Sequence, residues 1–103
     1  MNHQELELAI LESVEKAANQ KTLAQEIGYS VGKVNFVLKG LVEKGCIKVD
    51  RFLNSKKKYQ YKYLLTKDGI KQKIELTENF IQRKKQEYDV LLENLEKYKE
   101  IYK

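Results

Sequence analysis

The stretch that most constrains the fold runs from residue 22 to residue 45 and reads TLAQEIGYSVGKVNFVLKGLVEKG. Thr22 is a favourable N-cap residue, and a short apolar face follows it. Gly28 can take a left-handed conformation at little cost and so end the first helix, after which Ser30 supplies a second N-cap hydroxyl. The pattern predicts two helices joined by a tight turn, the second ending at Gly45.

The second predicted helix, about residues 30–44, has one apolar stripe and one polar, basic face. The apolar stripe recurs at three- and four-residue spacing and should be buried; it consists of Val34, Val37, Leu38, Leu41 and Val42. The other face carries Ser30, Gly32, Lys33, Asn35, Phe36 and Lys39. Because this face has no carboxylate before Glu43, it can approach a polyanion without self-repulsion. The second helix of a helix-turn-helix does this in the major groove of DNA, so we interpret the face as a candidate DNA-binding surface.

The chain changes its period after Gly45. Residues 46–52 and 59–65 alternate apolar or aromatic side chains with polar ones, which predicts two β-strands. Residues 53–58 between them are mainly polar and basic, as expected for a hairpin tip. Its candidate DNA contacts are Asn54, Ser55, Lys56, Lys57 and Lys58. Three successive lysines repel one another, so the run is either simply solvated or neutralised by an anion; we favour DNA phosphates.

Residues 67–103 contain no proline and only one glycine, Gly69. Ten positions follow an alternating four- and three-residue spacing that is typical of a coiled-coil seam: Ile70, Ile74, Thr77, Ile81, Lys84, Tyr88, Leu91, Leu95, Tyr98 and Tyr102. A helix of this length, roughly 55 Å, exceeds what so small a domain can cover, so we expect a homodimer. The predicted dimer interface is formed by Ile74, Ile81, Tyr88, Leu91, Leu95, Tyr98 and Tyr102. Thr77 and Lys84 interrupt the seam and should fix its register or orientation, while parallel and antiparallel arrangements both stay open.

The N-terminal region predicts a helix from Glu5 to Ala18 that packs one apolar stripe on the core. Its acids, Glu5, Glu7, Glu12 and Glu15, are expected on the outer side. Asn19 and Gln20 should end the helix, and Lys21 is expected to add a short strand to the hairpin.

The net charge of +5 is distributed unevenly along the chain. Residues 1–20 carry −3, residues 21–65 carry +7 and residues 66–103 carry +1. The positive charge is therefore concentrated around the predicted helical pair and hairpin, as expected of a protein that binds a phosphate backbone.

Few residues are available for catalysis or metal binding. His3 is the only histidine and lies in a terminus expected to fray, so no histidine-based acid–base pair or metal cluster can form. We therefore expect no enzymatic activity, no cofactor and no metal. Cys46 has no second cysteine to pair with, which favours a reducing cytoplasm and a buried residue at the start of a strand. We see no signal peptide and no membrane-spanning segment.

The alternating tyrosines of the second predicted strand have two possible roles. They could form a stacking platform for single-stranded nucleic acid, or they could supply aromatic area to a small core. We favour packing, with Tyr61 and Tyr63 on the first and third helices.

Three segments of the chain carry a resemblance to a known family: SVGKVNFVLKGLVEKG (30–45), NSKKKYQYKYLLTKDGIKQK (54–73) and FIQRKKQEYDVL (80–91). Together they resemble the MarR-type winged helix-turn-helix transcriptional regulators, and within them the small subgroup associated with exopolysaccharide gene clusters. The resemblance extends from about Leu6 onward. It implies a mainly α fold with a small β-hairpin: a winged helix-turn-helix domain (1–66), then a long C-terminal dimerisation helix (67–103). It also implies that the hairpin, or wing, contacts the minor groove or its phosphates.

We therefore expect a homodimeric regulator that binds double-stranded DNA sequence-specifically. Two alternatives stay open: a winged-helix module that binds only protein, and an effector-responsive sensor. The chain is short beside larger family members, whose ligand pocket uses an extra N-terminal helix, so we expect no small-molecule effector. A redox-sensing Cys46, as in some regulators of this family, is the alternative to a purely structural thiol.

Overall fold

The computed structural model describes residues 2–17, 20–53 and 55–103. Among these residues the chain forms four helices and one hairpin, in the order α1 (His3–Ser13), α2 (Gln20–Ile27), α3 (Val31–Glu43), β1 (Ile47–Leu53), β2 (Tyr59–Leu65) and α4 (Lys67–Tyr102). The predicted fold class is confirmed: mainly α, with a small hairpin and a long C-terminal helix.

The core lies where the first three helices meet the base of the hairpin and the first half of α4. Its buried side chains come from the helices, the start of the hairpin and the loop before it: Leu6, Leu8, Ile10, Leu11, Val14, Leu23, Ala24, Val34, Val37, Leu38, Leu41, Cys46, Ile47 and Leu76. Burying each large aliphatic side chain contributes about 1.5–3 kcal/mol, so this cluster holds α3 firmly against the other helices. The apolar stripe predicted for α3 is confirmed, with Val42 partly buried.

The turn between α2 and α3 has the predicted geometry. Gly28 in this turn has φ +79°, in the left-handed region where glycine is favoured. Gly45, which follows the end of α3, has φ +78° and lies in the same region. Ser30 caps α3, since its Oγ accepts a hydrogen bond of 3.2 Å from the Lys33 amide. The cap predicted at Thr22 is wrong because α2 already begins at Gln20.

The first helix is shorter than predicted. It runs from His3 to Ser13, and Ala18 and Asn19 lie outside the described residues. His3 belongs to this helix instead of a frayed end. Lys21 lies in α2, and the sheet formed by the described residues has two strands, so the predicted third strand is not found there.

The hairpin is an antiparallel pair whose register places Ile47 opposite Leu65 at the base and Leu53 opposite Tyr59 at the far end. Only the base is buried, and the rest of the hairpin projects from the core. Leu53, predicted in the tip, is the last residue of β1.

Helix α4 is tied at its start to the end of α3. Thr66 caps α4 by accepting a 3.0 Å hydrogen bond from the Gly69 amide, and its hydroxyl donates a 2.5 Å hydrogen bond to the Gly45 carbonyl. The Thr66 amide donates to the Cys46 carbonyl. Gly69 lies so close to that carbonyl that a Cβ on it would overlap the oxygen.

The outer position predicted for Glu7 is wrong. Glu7 is buried at the edge of the core, and its carboxylate joins three helices. His3 Nε2 lies 2.7 Å from it, Lys44 Nζ at the end of α3 lies 3.8 Å from it, and Gln72 of α4 donates to it over 3.5 Å. These partners offset the cost of removing a carboxylate from water.

The second half of α4 extends beyond the domain. Leu76 is buried and Phe80 is partly buried, and Arg83 forms an ion pair with α1, at 3.5 Å from Glu5. The ten seam positions, which we call the α4 stripe, are exposed or only half-buried along their whole length. The molecule is accordingly elongated, 72 × 25 × 20 Å.

Candidate nucleic-acid interface

The outer side of α3 presents all six predicted residues to solvent. Ser30, Gly32, Lys33, Asn35, Phe36 and Lys39 are exposed. The apolar side chains between them, from Val34 to Leu41, are anchored in the core, so α3 cannot turn this side inward without breaking the core. The exposed side therefore combines two lysines and an amide with a rigid backbone.

The N-terminus of α3 adds a further attraction for anions. The first amides of a helix have no partner within the helix, and the aligned peptide dipoles give this end a partial positive charge. Ser30 Oγ satisfies the amide of Lys33, the third residue of the helix. At Gly32 an added Cβ would meet nothing within 4 Å, so the fold itself does not require a glycine there. The bare backbone at Gly32 lets an external group approach closely.

Phe36 does not pack under the wing. Its side chain is 69% exposed, and the Lys33 ammonium lies 5.9 Å from its ring centroid. A large exposed ring on the outer side of α3 is suited to apolar contact with a partner such as the methyl group of thymine.

The wing places its lysines at the far end of the hairpin. Ser55, Lys56, Lys57 and Lys58 are exposed, whereas Asn54 lies outside the described residues. Lys57 has φ +58°, so it takes a left-handed backbone conformation in the turn. The basic tip therefore projects away from the core.

A cation–aromatic pair on the wing was missed by the sequence analysis. The Arg51 guanidinium lies 3.6 Å from the centroid of the Tyr59 ring. Arg51 pairs directly with Tyr61, so Tyr59 is its diagonal neighbour across the strands. Knowledge of the strand register would have revealed this contact, which holds an arginine in place near the tip.

The packing role predicted for the tyrosines is right for one residue and wrong for another. Tyr63 is half-buried against the core, and its hydroxyl accepts a 3.2 Å hydrogen bond from Gln20. Tyr61 is 54% exposed because it lies farther along the projecting hairpin. Together with Tyr59 and Phe52 it lines an open cleft of about 790 Å³ beside the wing.

Cys46 is buried, as predicted, and lies in the loop directly before β1 instead of in the strand. Burial raises the pKa of its thiol; the Asp68 and Glu7 carboxylates raise that pKa further, and nearby Lys44 lowers it. The thiol therefore stays protonated at neutral pH. Since the thiolate is the reactive form, the site is suited to packing and not to redox sensing.

We expect Cys46 to react slowly with a thiol reagent in the folded protein. With 5,5′-dithiobis(2-nitrobenzoate) at pH 7.5, the rate should be on the order of tenfold or more below that of the chain in guanidinium chloride, because burial and the raised pKa both oppose reaction. The rate should increase as the pH is raised. A folded-state rate equal to the unfolded one at pH 7.5 would contradict this account.

No group of three or more His, Cys, Asp and Glu side chains among the described residues is placed to hold a metal ion. No helix in that part of the chain combines the length and apolar character needed to cross a bilayer.

Known proteins were compared with the chain in sequence and in structure. No protein-family model and no curated protein matches the chain in sequence. In structure it is similar to MepR of Staphylococcus aureus, a MarR-family winged-helix regulator. It matches a single-residue mutant of MepR with a TM-score of 0.61 at 20% identity, covering 100% of this chain and 80% of that one. A MepR–DNA complex matches with a TM-score of 0.59 at 20% identity, covering 100% and 78%.

A third MepR structure, described as a transcription regulator of the multidrug efflux pump MepA, matches with a TM-score of 0.58 at 19% identity, covering 100% of this chain and 80% of that one. The chain therefore has the winged-helix fold. At such low identity the likeness concerns the fold alone.

Proposed function

We propose that the protein is a transcriptional regulator that binds double-stranded DNA as a homodimer. The observation that carries this proposal is the exposed, carboxylate-poor outer side of α3, which is held rigidly by the core. The winged-helix fold and its likeness to MepR, which has been solved in complex with DNA, support it. Selection of bound sequences from random duplex DNA at two salt concentrations tests it, since a regulator should enrich one motif at both.

In the proposed complex α3 is the recognition helix and lies in the major groove. Asn35 can form a bidentate contact with adenine, and Lys33 and Lys39 can reach guanine or a phosphate. Ser30 and the α3 N-terminus receive a backbone phosphate, and Gly32 allows close approach. Lys56, Lys57 and Lys58 of the wing, with Ser55 and Asn54 beside them, contact the minor groove or its phosphates.

The proposal assigns DNA binding and dimerisation to two different parts of the chain. Residues 1–66 form the DNA-binding domain, and residues 67–103 form the dimerisation helix. The α4 stripe supports this division, because its apolar side chains are exposed in the single chain and residues 1–66 do not cover them. A two-fold dimer presents two α3 helices to a palindromic site. Its affinity for that site is therefore higher than the affinity of a single DNA-binding domain for one half-site.

The proposal extends to the genes controlled. The resemblance of residues 30–45, 54–73 and 80–91 to the exopolysaccharide-associated subgroup supports a role in regulating such genes. Recovery of binding sites next to exopolysaccharide genes in a genome-wide binding experiment tests this part separately, and sites elsewhere would leave DNA binding intact.

Replacing Asn35 with Ala should weaken binding to the selected motif by about 1–3 kcal/mol and leave binding to random DNA nearly unchanged. The reason is that an amide bound to a base edge contributes only where the base is correct. Titration of both DNAs by fluorescence anisotropy measures the difference. Asn79→Ala, which removes an exposed amide from α4, is the matched control and should change neither affinity. Equal losses on the two DNAs for Asn35→Ala would contradict base recognition.

Replacing Lys56, Lys57 and Lys58 together with Ala should weaken binding to both DNAs. Each lost phosphate contact should reduce the slope of log affinity against log salt by about 0.9. Binding measured at four salt concentrations gives the slope. Lys97→Ala with Lys103→Ala, at the far end of α4, is the control and should leave the slope as it is. An unchanged slope in the wing variant would mean that the tip is only solvated.

A further inference from the structure

We infer that the two α4 helices of the proposed dimer pair in antiparallel orientation, with the two-fold axis crossing the stripe at the height of residue 86 along the helix. This inference rests on the dimer proposed above and specifies its geometry. It comes from three features of α4: the order of residue types along the α4 stripe, the distribution of charge, and the position of the domain along the helix.

The order of residue types favours antiparallel pairing. About an axis at Gln86, every stripe residue faces a different residue: Ile70 faces Tyr102, Ile74 faces Tyr98, Thr77 faces Leu95, Ile81 faces Leu91, and Lys84 faces Tyr88. The isoleucines occupy the first half of the stripe and two of its three tyrosines its far end, so most layers join a medium-sized side chain to a larger one. Facing side chains of unequal size fill a helix interface evenly. In a parallel pair, tyrosine would meet tyrosine and isoleucine would meet isoleucine.

Lys84 and Thr77 are the polar residues of the α4 stripe, and both fit this arrangement. In a parallel dimer each Lys84 would face its own copy, which brings two like charges together at the seam. In the antiparallel dimer it faces an aromatic ring, and it keeps its 3.1 Å contact with Glu87 of the same helix. Thr77 already donates its hydroxyl to the Lys73 carbonyl at 2.6 Å, so it can face Leu95 without an unpaired donor.

The charge distribution along α4 is strongly asymmetric. Residues 87–96 carry four acids and no base, whereas residues 76–85 carry three bases and one acid. In the antiparallel arrangement centred on residue 86, residues 87–96 of each helix, of charge −4, lie against residues 76–85 of the partner helix, of charge +2. The dimer contains two such pairings. A parallel arrangement lays −4 against −4. Because the two helices would lie about 10 Å apart, close to the Debye length in physiological salt, this difference is not fully screened.

The position of the domain on α4 provides the third argument. The domain covers α4 only from Gly69 to Arg83, and the helix beyond it is largely bare. Antiparallel pairing lays each bare half against the half that the partner's domain supports, whereas parallel pairing would leave the bare halves as an isolated two-helix ribbon. It also sets the domain centres, near residue 76 of each helix, about 30 Å apart along the helix axis. That spacing is close to the roughly 34 Å between half-sites one DNA turn apart.

Disulfide exchange distinguishes the two orientations. The variant carries Cys46→Ala, Ile74→Cys and Tyr98→Cys. It is equilibrated in a glutathione redox buffer, so that disulfides form and exchange reversibly until the most stable pairing predominates. The two introduced thiols of one chain are about 36 Å apart along the helix, too far for an internal disulfide. Tryptic peptides of the unreduced dimer are then identified by mass spectrometry. Cys46→Ala with Gln82→Cys, which places its thiol outside the stripe, is the matched control and should remain unlinked.

The expected result is a dimer in which position 74 is linked to position 98, with loss of this species on reduction. Links of 74 to 74 and 98 to 98 would overturn the antiparallel orientation while leaving the dimer intact. A dimer with neither type of link would overturn the register about Gln86. A 12.2 kDa monomer in sedimentation of the unmodified chain at micromolar concentration would instead remove the proposed dimer itself.

Discussion

Replacing Leu91 and Leu95 together with Asp should convert the protein into a monomer that scarcely binds its DNA site. Both side chains are exposed in the single chain, so the substitution removes no intrachain core contact. In the proposed dimer each Asp would be buried in an apolar seam, where an unpaired charge is strongly destabilising. Sedimentation velocity should show the 12.2 kDa species, and the affinity for a palindromic duplex should fall by about 10²–10⁴-fold because two linked half-site contacts become one.

The control for this variant is Gln86→Asp. Gln86 lies on the side of α4 opposite the stripe, so the same acidic residue there should leave the dimer and its DNA binding unchanged. Circular dichroism should give the same helix content for both variants below the unfolding temperature. A double variant that stays dimeric would show that the α4 stripe is not the interface.

Replacing Gly69 with Ala should cause the largest loss of stability of any glycine-to-alanine substitution in this chain. The new Cβ would overlap the backbone oxygen of Cys46, which cannot move without disturbing the hydrogen bond from the Thr66 amide. We expect the free energy of unfolding to fall by about 3 kcal/mol, the upper end of the range for overpacking. The loss from overpacking outweighs the roughly 1 kcal/mol of stability that alanine normally adds relative to glycine inside a helix. Thermal unfolding should shift downward by roughly 4–8 °C for each kcal/mol lost.

Gly32→Ala provides the matched comparison. The same methyl group there meets nothing within 4 Å, so the helix propensity of alanine should raise stability by up to about 1 kcal/mol. If Gly32 faces DNA as proposed, the more stable variant should nevertheless bind its site more weakly. Both proteins must be compared at one concentration, because the proposed dimerisation would contribute to their apparent stability. A Gly69→Ala protein as stable as the parent would contradict the close approach.

The helices that carry their own start and stop signals were predictable from sequence. Ser30, Gly28 and Gly45 act within a few residues of themselves, so local chemistry fixes the boundaries of α3. The hairpin was predictable for a similar reason, since its period of two is a property of adjacent residues. The exposed outer side of α3 followed once its apolar stripe had been recognised.

The features that depend on distant parts of the chain were not predictable in the same way. Glu7 was expected on the outer side because nothing nearby in sequence reveals that Lys44 and Gln72 will surround it. The burial of Tyr61 was overestimated because periodicity does not show where the hairpin leaves the core. Gly69 gave no signal beyond being a glycine near a helix start, since its role depends on a carbonyl 23 residues earlier in the chain.

The hydrogen bond from Thr66 to the Gly45 carbonyl has a mechanical consequence for the proposed dimer on DNA. This hydrogen bond couples the end of α3 to the start of α4, and α4 then extends about 54 Å without a proline or a glycine beyond its first turn. With such a lever, a tilt of about 5° at its base moves the far end by about 5 Å. Because the hydrogen bond of Thr66 restricts hinge motion between α3 and α4, a mismatch in half-site spacing has to be accommodated by bending of α4 or by distortion of the duplex.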